Sequence, residues 1–288
     1  MPRAKQRSKG RRPAPRRPTM AEQSDPFALY MKAVQNPGAE NDFVDRVFRT
    51  MRGRTPARLR EDFCGTAAIS CDWAARRPGN VATGLDLDVP TLAWGRANNV
   101  AKLGPDAAAR VRLMRRNVLS PGAGTGGQDV VLAVNFSYWV FKERGMLRRY
   151  FAAARRGLVR DGLFILDILG GWELLEERRD ATQIGGKKRG FTYIWEQART
   201  NPITHETLCH IHFRFRDRSR MERAFTYDWR AWGMPEVREV LAEAGFRRST
   251  VYWEGENSRG EGNGVFRALG KAAPKNCPAH LCYVVAER

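Results

Sequence analysis

No apolar run in this sequence approaches the ~20 residues that a membrane-spanning helix needs, so no transmembrane segment is expected. Histidine is scarce, at 4 residues of 288. His210 and His212 alternate and would share one strand face, but no third ligand accompanies them, so no metal site is expected. The 5 cysteines (Cys64, Cys71, Cys209, Cys277 and Cys282) are odd in number, and none forms a Cys-x-x-Cys pair. That argues against a disulfide framework or a zinc site and suits a reducing cytoplasm. The Gly-x-Gly-x-x-Gly fingerprint of dinucleotide-binding turns is also missing. Acid is absent from residues 1–20, which carry eight of the Lys and Arg residues and little that is apolar. Such a segment cannot offset its ordering entropy and reads as a disordered basic tail.

What remains has the makings of a globular α/β body. Hydrophobic residues make up 42% and tryptophans number 8, enough for a full core at this length. Net charge is +19, of which the tail supplies 8. A basic surface attracts polyanions without naming nucleic acid as a substrate.

The chain is organised around residues 58–88. A short strand runs into a turn holding Gly65 and Thr66, a helix follows through Ile69 and Trp73, and a second strand ends at Asp86. This is a βαβ half-unit with a carboxylate about 20 residues past the turn glycine. Glycine lets the backbone approach a ligand closely, and a carboxylate there can accept hydrogen bonds from ribose hydroxyls.

Glu61-Asp62-Phe63-Cys64-Gly65-Thr66-Ala67 resembles the first motif of the class I S-adenosylmethionine-dependent methyltransferases, where an acidic residue precedes Gly-Cys-Gly-Thr-Gly or a variant. Phe63 and Ala67 depart from it, standing where the family has its outer glycines. The resemblance implies a Rossmann-like, mostly parallel seven-stranded sheet flanked by helices, with S-adenosylmethionine as cofactor. It implies that Asp86 binds the ribose and that Leu87 packs on the adenine. Cys64, Gly65 and Thr66 form the turn against the methionine part, and Glu61 orients its ammonium. Asn117, beside Val118, would hydrogen-bond the adenine amine.

Ahead of this core, which spans residues 55–170, residues 21–54 hold two amphipathic helical segments expected to form a lid, with Tyr30 a candidate lid residue. A buried strand over 129–134 emerges into Asn135, Phe136, Ser137, Tyr138 and Trp139. Ligands bind at the carboxyl ends of such strands, so Asn135 is expected at the cofactor and acceptor, with Tyr138 or Trp139 stacking on the acceptor. Asp167, ending the next strand, is a candidate base. Residues 171–230 change to period-two alternation over 191–197, 207–215 and 223–228, an antiparallel insertion before the last helix that would cap the substrate. Residues 231–288 complete the sheet, with a mobile glycine-rich loop over 255–263. Three functions compete. A small-molecule methyltransferase is favoured by the insertion, an RNA methyltransferase by the tail and charge, and a cofactor-binding protein without turnover by Phe63 and Ala67.

Overall fold

The computed structural model describes residues 16–186, 190–260, 262–270 and 274–288. Most of the basic tail, residues 1–15, lies outside them. Three helices come first: α1 (Met20–Gln23), α2 (Pro26–Val34) and α3 (Pro37–Arg52). Each starts on a polar cap. Thr19 and Glu22 form a capping box, Asp25 accepts the N–H groups of Phe27 and Ala28, and Asn36 accepts that of Ala39. Gly53 ends α3 in the left-handed region.

The core alternates β1 (Arg58–Asp62), α4 (Ala68–Arg76), β2 (Val81–Asp86), α5 (Val89–Asn98), the short α6 (Pro105–Ala108), β3 (Val111–Arg115), β4 (Gln128–Ala133), α7 (Arg144–Gly157) and β5 (Leu158–Gly170). The insertion supplies β6 (Arg178–Ile184), β7 (Phe191–Thr200), β8 (Glu206–Arg214) and β9 (Arg220–Arg230). Then follow α8 (Met234–Glu243), β10 (Arg248–Glu256), β11 (Gly262–Ala268) and β12 (His280–Glu287).

The main sheet runs β11-β10-β12-β5-β4-β1-β2-β3. The five strands from β5 to β3 are parallel, and β12 is antiparallel to both β5 and β10. The sheet therefore has eight strands where seven were expected. The addition is β11, which pairs with β10 over part of the segment read as a mobile loop. Its anchor is Phe266, whose buried ring packs edge-on against Phe43 and Tyr283.

Strand alternation divides the core into two layers. Val130, Leu132 and Val134 face α3 and α4, where they meet Phe43, Phe48, Ile69 and Trp73. Val131 and Ala133 face α7 and α8, with Tyr150, Phe151, Val237 and Val240. The segment expected as a lid is therefore split. α3 belongs to the core, while α2 packs through Leu29 and Tyr30 against the second sheet, β6-β7-β8-β9. That antiparallel sheet lies within residues 171–230 and includes, beside the three stretches that alternate, β6, whose polar edge sequence gives no apolar alternation to read. No helix among the described residues is long and apolar enough to cross a membrane.

Candidate functional site

Adjacent β1 and β4 mark the point where the strand order reverses, and a crevice opens at their carboxyl ends. The turn after β1 forms its floor. Phe63, Gly65 and Ala67 all have positive φ, at 58°, 52° and 58°. The two residues that depart from the glycine pattern thus keep a glycine-like backbone, at about 1–2 kcal/mol each. Neighbouring packing holds them there. The N–H of Cys64 donates to Leu85 O at 2.9 Å, which ties the turn to the end of β2. Close approach also demands glycine at two supporting positions. A Cβ on Gly84 would lie 2.8 Å from Cys64 Sγ, and one on Gly95 would lie 2.6 Å from Thr66 O.

Four carboxylates converge on a cavity of about 250 Å³: Glu61, Asp62, Asp86 and Asp88. Asp86 accepts the N–H of Gly65 at 2.8 Å on one oxygen and that of Asp88 at 2.9 Å on the other. Each oxygen retains a lone pair. Glu61 is buried and accepts both donors of Ser70, its N–H at 2.9 Å. Burial pushes its carboxyl up to about 7, with the Ser70 donors opposing the rise. Asp62 is held by the Arg60 guanidinium at 2.9 and 3.0 Å and by the Tyr150 hydroxyl at 3.1 Å. Arg60 and Asp62 are fully buried, so losing either partner would strand the other's charge. No Lys or Arg lines this cavity among the described residues.

Of the expected cofactor residues, Glu61, Cys64, Gly65, Thr66, Asp86 and Asn135 line the cavity, while Leu87, Asn117 and Val118 do not. Leu87 is 58% exposed beside Asp86. Asn117 turns its side-chain oxygen back to the N–H of Leu119, and Val118 is packed in the core. The acceptor-side expectation for Tyr138 and Trp139 also needs correction. Both rings are buried in the core, and the Tyr138 hydroxyl donates to Asp167 O at 3.0 Å. Asp167 lines neither this cavity nor its neighbour, and its carboxylate is engaged by backbone N–H groups, so it is not placed as a base.

Sequence reading missed the far wall. Gln35, at the end of α2, and Phe225, Tyr227 and Trp229, on β9, close the cavity from above. The alternating aromatics of β9 were visible, but not which face they would turn to the core. Tyr30 does act as a wall, packing on Phe225 with ring centroids 5.1 Å apart. A second cavity of about 250 Å³ lies under the cap sheet and shares Tyr30, Asn135, Tyr227 and Trp229 with the first.

No family model matches the chain, and no curated protein matches it in sequence. Solved structures do match. CalS10, an amino pentose methyltransferase from Micromonospora echinaspora with S-adenosylmethionine bound, aligns at TM-score 0.65 and 19% identity over 91% of this chain and 95% of its own. The CcbJ methyltransferase from Streptomyces caelestis aligns at 0.64 and 14%, over 88% and 97%. The sugar N-methyltransferase KedS8 from Streptoalloteichus aligns at 0.61 and 16%, over 98% and 99%. The chain has the class I methyltransferase fold. In a methyltransferase fold of this kind the question is whether these residues suit the sulfonium nucleoside. Gln35 Oε1 and Thr66 Oγ1 are buried, have no hydrogen-bond partner among the described residues, and belong to cavity-lining residues. Together with Glu61 they suit a ligand that brings N–H donors, as the ammonium of a methionine moiety does. The residues fit.

His210 and His212 line neither cavity. His210 Nδ1 pairs with Thr226, and His212 is held between Glu196, at 2.9 Å, and Glu222.

Proposed function

We propose that the chain is an S-adenosylmethionine-dependent methyltransferase acting on a small-molecule acceptor held beneath its cap sheet. The charge of the cleft carries this reading. Asp86, Asp88 and the partly ionised Glu61 line it with no Lys or Arg among the described residues, while Asp62 is offset by the buried Arg60. The acidic balance disfavours phosphate-bearing nucleotides and favours a nucleoside carrying sulfonium and ammonium charges. When bound, the cofactor supplies a methyl group activated on sulfur. Asp86 offers its remaining lone pairs to the ribose hydroxyls, and the Gly65 turn admits the methionine part without a Cβ in the way. Leu87, exposed at the rim, provides an apolar surface for the adenine. Glu61, Gln35 and Thr66 receive the ammonium. Asn135, at the junction of the two cavities, holds the acceptor, and the cap aromatics exclude water. A cap cavity of about 250 Å³ suits a small molecule rather than a nucleic-acid strand.

Calorimetric titration with S-adenosylhomocysteine tests this reading. Micromolar binding is expected, weakened by about 1–3 kcal/mol in Asp86→Ala through loss of charge-assisted hydrogen bonds. ATP binding as tightly as S-adenosylhomocysteine would overturn it. Transfer of labelled methyl from S-adenosylmethionine into metabolite extracts distinguishes an enzyme from a binding protein without turnover.

A further inference from the structure

The cavity under the cap differs in kind from the acidic cleft beside it. Its walls are the rings of Tyr193, Trp195, Tyr227 and Trp229, with Val34 and Leu169 closing the ends. The rings are packed against one another. Tyr227 stacks on Trp229 with centroids 4.3 Å apart, and Trp195 lies 6.1 Å from Tyr227. No charged residue lines the cavity among the described residues. Beyond tyrosine hydroxyls and indole N–H groups, its polar side-chain atoms come from Asn135.

We propose that the acceptor is a primary or secondary amine carried on an apolar, flat body that fills this aromatic cavity, its nitrogen at Asn135. The inference rests on the methyltransferase reading above and names the acceptor of that same site. A ring bearing several hydroxyls would leave most of them buried without partners, a penalty the few polar atoms here cannot relieve. An aromatic or aliphatic body meets no such penalty and gains ring contacts. This separates the chain from the amino pentose and sugar N-methyltransferases whose fold it shares.

The choice of amine over hydroxyl comes from what the walls lack. A hydroxyl or phenol acceptor must give up its proton as it attacks, which calls for a base in reach. The titratable groups lining the cap cavity are three tyrosines, each pushed upward by burial, Tyr30 to about 12. The carboxylates of the adjoining cleft are already engaged by Ser70, by Arg60 and Tyr150, and by the N–H groups of Gly65, Asp88 and Thr91. An amine needs no such base. Absence of a paired carboxylate favours its neutral form on entry, and the Asn135 side-chain oxygen can accept an N–H while the lone pair points at the neighbouring cleft. The nitrogen then uses that lone pair to bond the methyl carbon, whose bonding electrons to sulfur remain on sulfur, and the surplus N–H proton leaves to water. In the interval the methylammonium is stabilised by the faces of Trp195, Tyr227 and Trp229.

Phenethylamine, 2-phenylethanol and glucosamine serve as probes, read by tryptophan fluorescence and calorimetry on the full chain saturated with S-adenosylhomocysteine. Phenethylamine is expected to bind at least tenfold tighter than glucosamine, and with S-adenosylmethionine to yield N-methylphenethylamine, while 2-phenylethanol binds without being methylated. Trp195→Ala should weaken phenethylamine at least tenfold and leave S-adenosylhomocysteine affinity within twofold, because Trp195 lines only the cap cavity. Should that variant fail to fold, Val34→Phe, which fills the cavity from α2, carries the same expectation. Glucosamine binding as tightly as phenethylamine, methylation of 2-phenylethanol, or unaltered phenethylamine affinity in the folded variants would each overturn the proposal. Failure to bind S-adenosylhomocysteine would instead strike the methyltransferase reading, since that titration needs no acceptor.

Discussion

Asp167 Oδ2 accepts the backbone N–H of Asn135 at 2.6 Å, across the carboxyl ends of neighbouring β5 and β4. Its other oxygen accepts the N–H of Phe136 at 3.0 Å. Asn135 and Phe136 are consecutive left-handed residues, with φ of 58° and 54°. Such a pair points successive N–H groups inward as an anion-binding nest, and here the nest grips a buried carboxylate. Asp167 therefore holds the backbone at Asn135, where the acidic cleft and the cap cavity meet.

A positioning role and a general-base role for Asp167 predict different behaviour. Asp167→Ala leaves two part-buried N–H groups without their acceptor, and chemical denaturation should show a loss of about 1–3 kcal/mol. Asp167→Asn keeps one acceptor, so its loss should be about half as large. Turnover in Asp167→Asn should fall roughly 10-fold to 100-fold through misplacement of Asn135, and further in Asp167→Ala, because the amide still accepts one N–H. A loss in Asp167→Asn as deep as in Asp167→Ala, with the stability difference between them intact, would restore Asp167 as the base.

The approach of α5 to the turn after β1 gives a stability test. A Cβ at Gly95 would meet the Thr66 backbone at 2.6 Å, and backbone cannot swing aside. Gly95→Ala should destabilise the protein by about 1–3 kcal/mol and weaken S-adenosylhomocysteine binding as the turn is displaced. Gly79→Ala meets no atom within 4 Å and is the control. Its midpoint in urea should stay within about 0.5 kcal/mol of the parent.

Local signals carried much of the site, and they fail where the chain folds back on itself. Gly65 and Asp86 are legible because one strand, turn, helix and strand place them together over a short stretch, and Asn135 because it ends an unbroken apolar strand. Gln35, Tyr227 and Trp229 reach the same cavity from elements far apart in sequence. No spacing rule joins them. Tyr138 was misread for a related reason. Beyond the end of β4 the chain turns through two left-handed residues, which swings the ring into the core rather than toward the cleft. β6 and β11 escaped because edge strands need only one partner and can be polar or glycine-rich.

Three carboxyls, the buried Glu61 and Asp167 and the half-buried Glu40 with one oxygen out of water, make the unliganded protein sensitive to alkali within an ordinary range. Burial pushes Glu40 up to about 8, with Asp167 and Glu61 adding repulsion, and raises Glu61 and Asp167 themselves to about 7. Unfolded, these groups would titrate near 4. Between those values the native state binds more protons than the unfolded state, so stability falls as pH rises. The contribution is complete below the unfolded values and is lost through pH 7 to 8. The melting temperature of the unliganded protein should therefore increase on going from pH 8 to pH 6, and Glu40→Gln should flatten that slope. A melting temperature that rises with pH over this window would contradict the burial of these groups as acids.

Cofactor binding should release protons near neutrality. Glu61 is partly protonated at pH 7 when the cleft is empty, because burial holds its carboxyl up to about 7. An ammonium placed against Glu61, which S-adenosylhomocysteine also brings, favours the ionised form, so the Glu61 value falls on binding and its proton departs. Linkage then requires affinity to rise with pH from about 6 to 8 and to level off once Glu61 is ionised in the free protein. Titrations of S-adenosylhomocysteine at pH 6.5 in phosphate and in imidazole, whose ionisation enthalpies differ, report the protons exchanged. Net release of a substantial fraction of one proton is expected. Glu61→Gln should abolish the release and weaken binding, since the amide cannot supply the charge that the ammonium meets. Proton uptake in the parent protein, or unchanged release in Glu61→Gln, would show that the ammonium does not lie against Glu61.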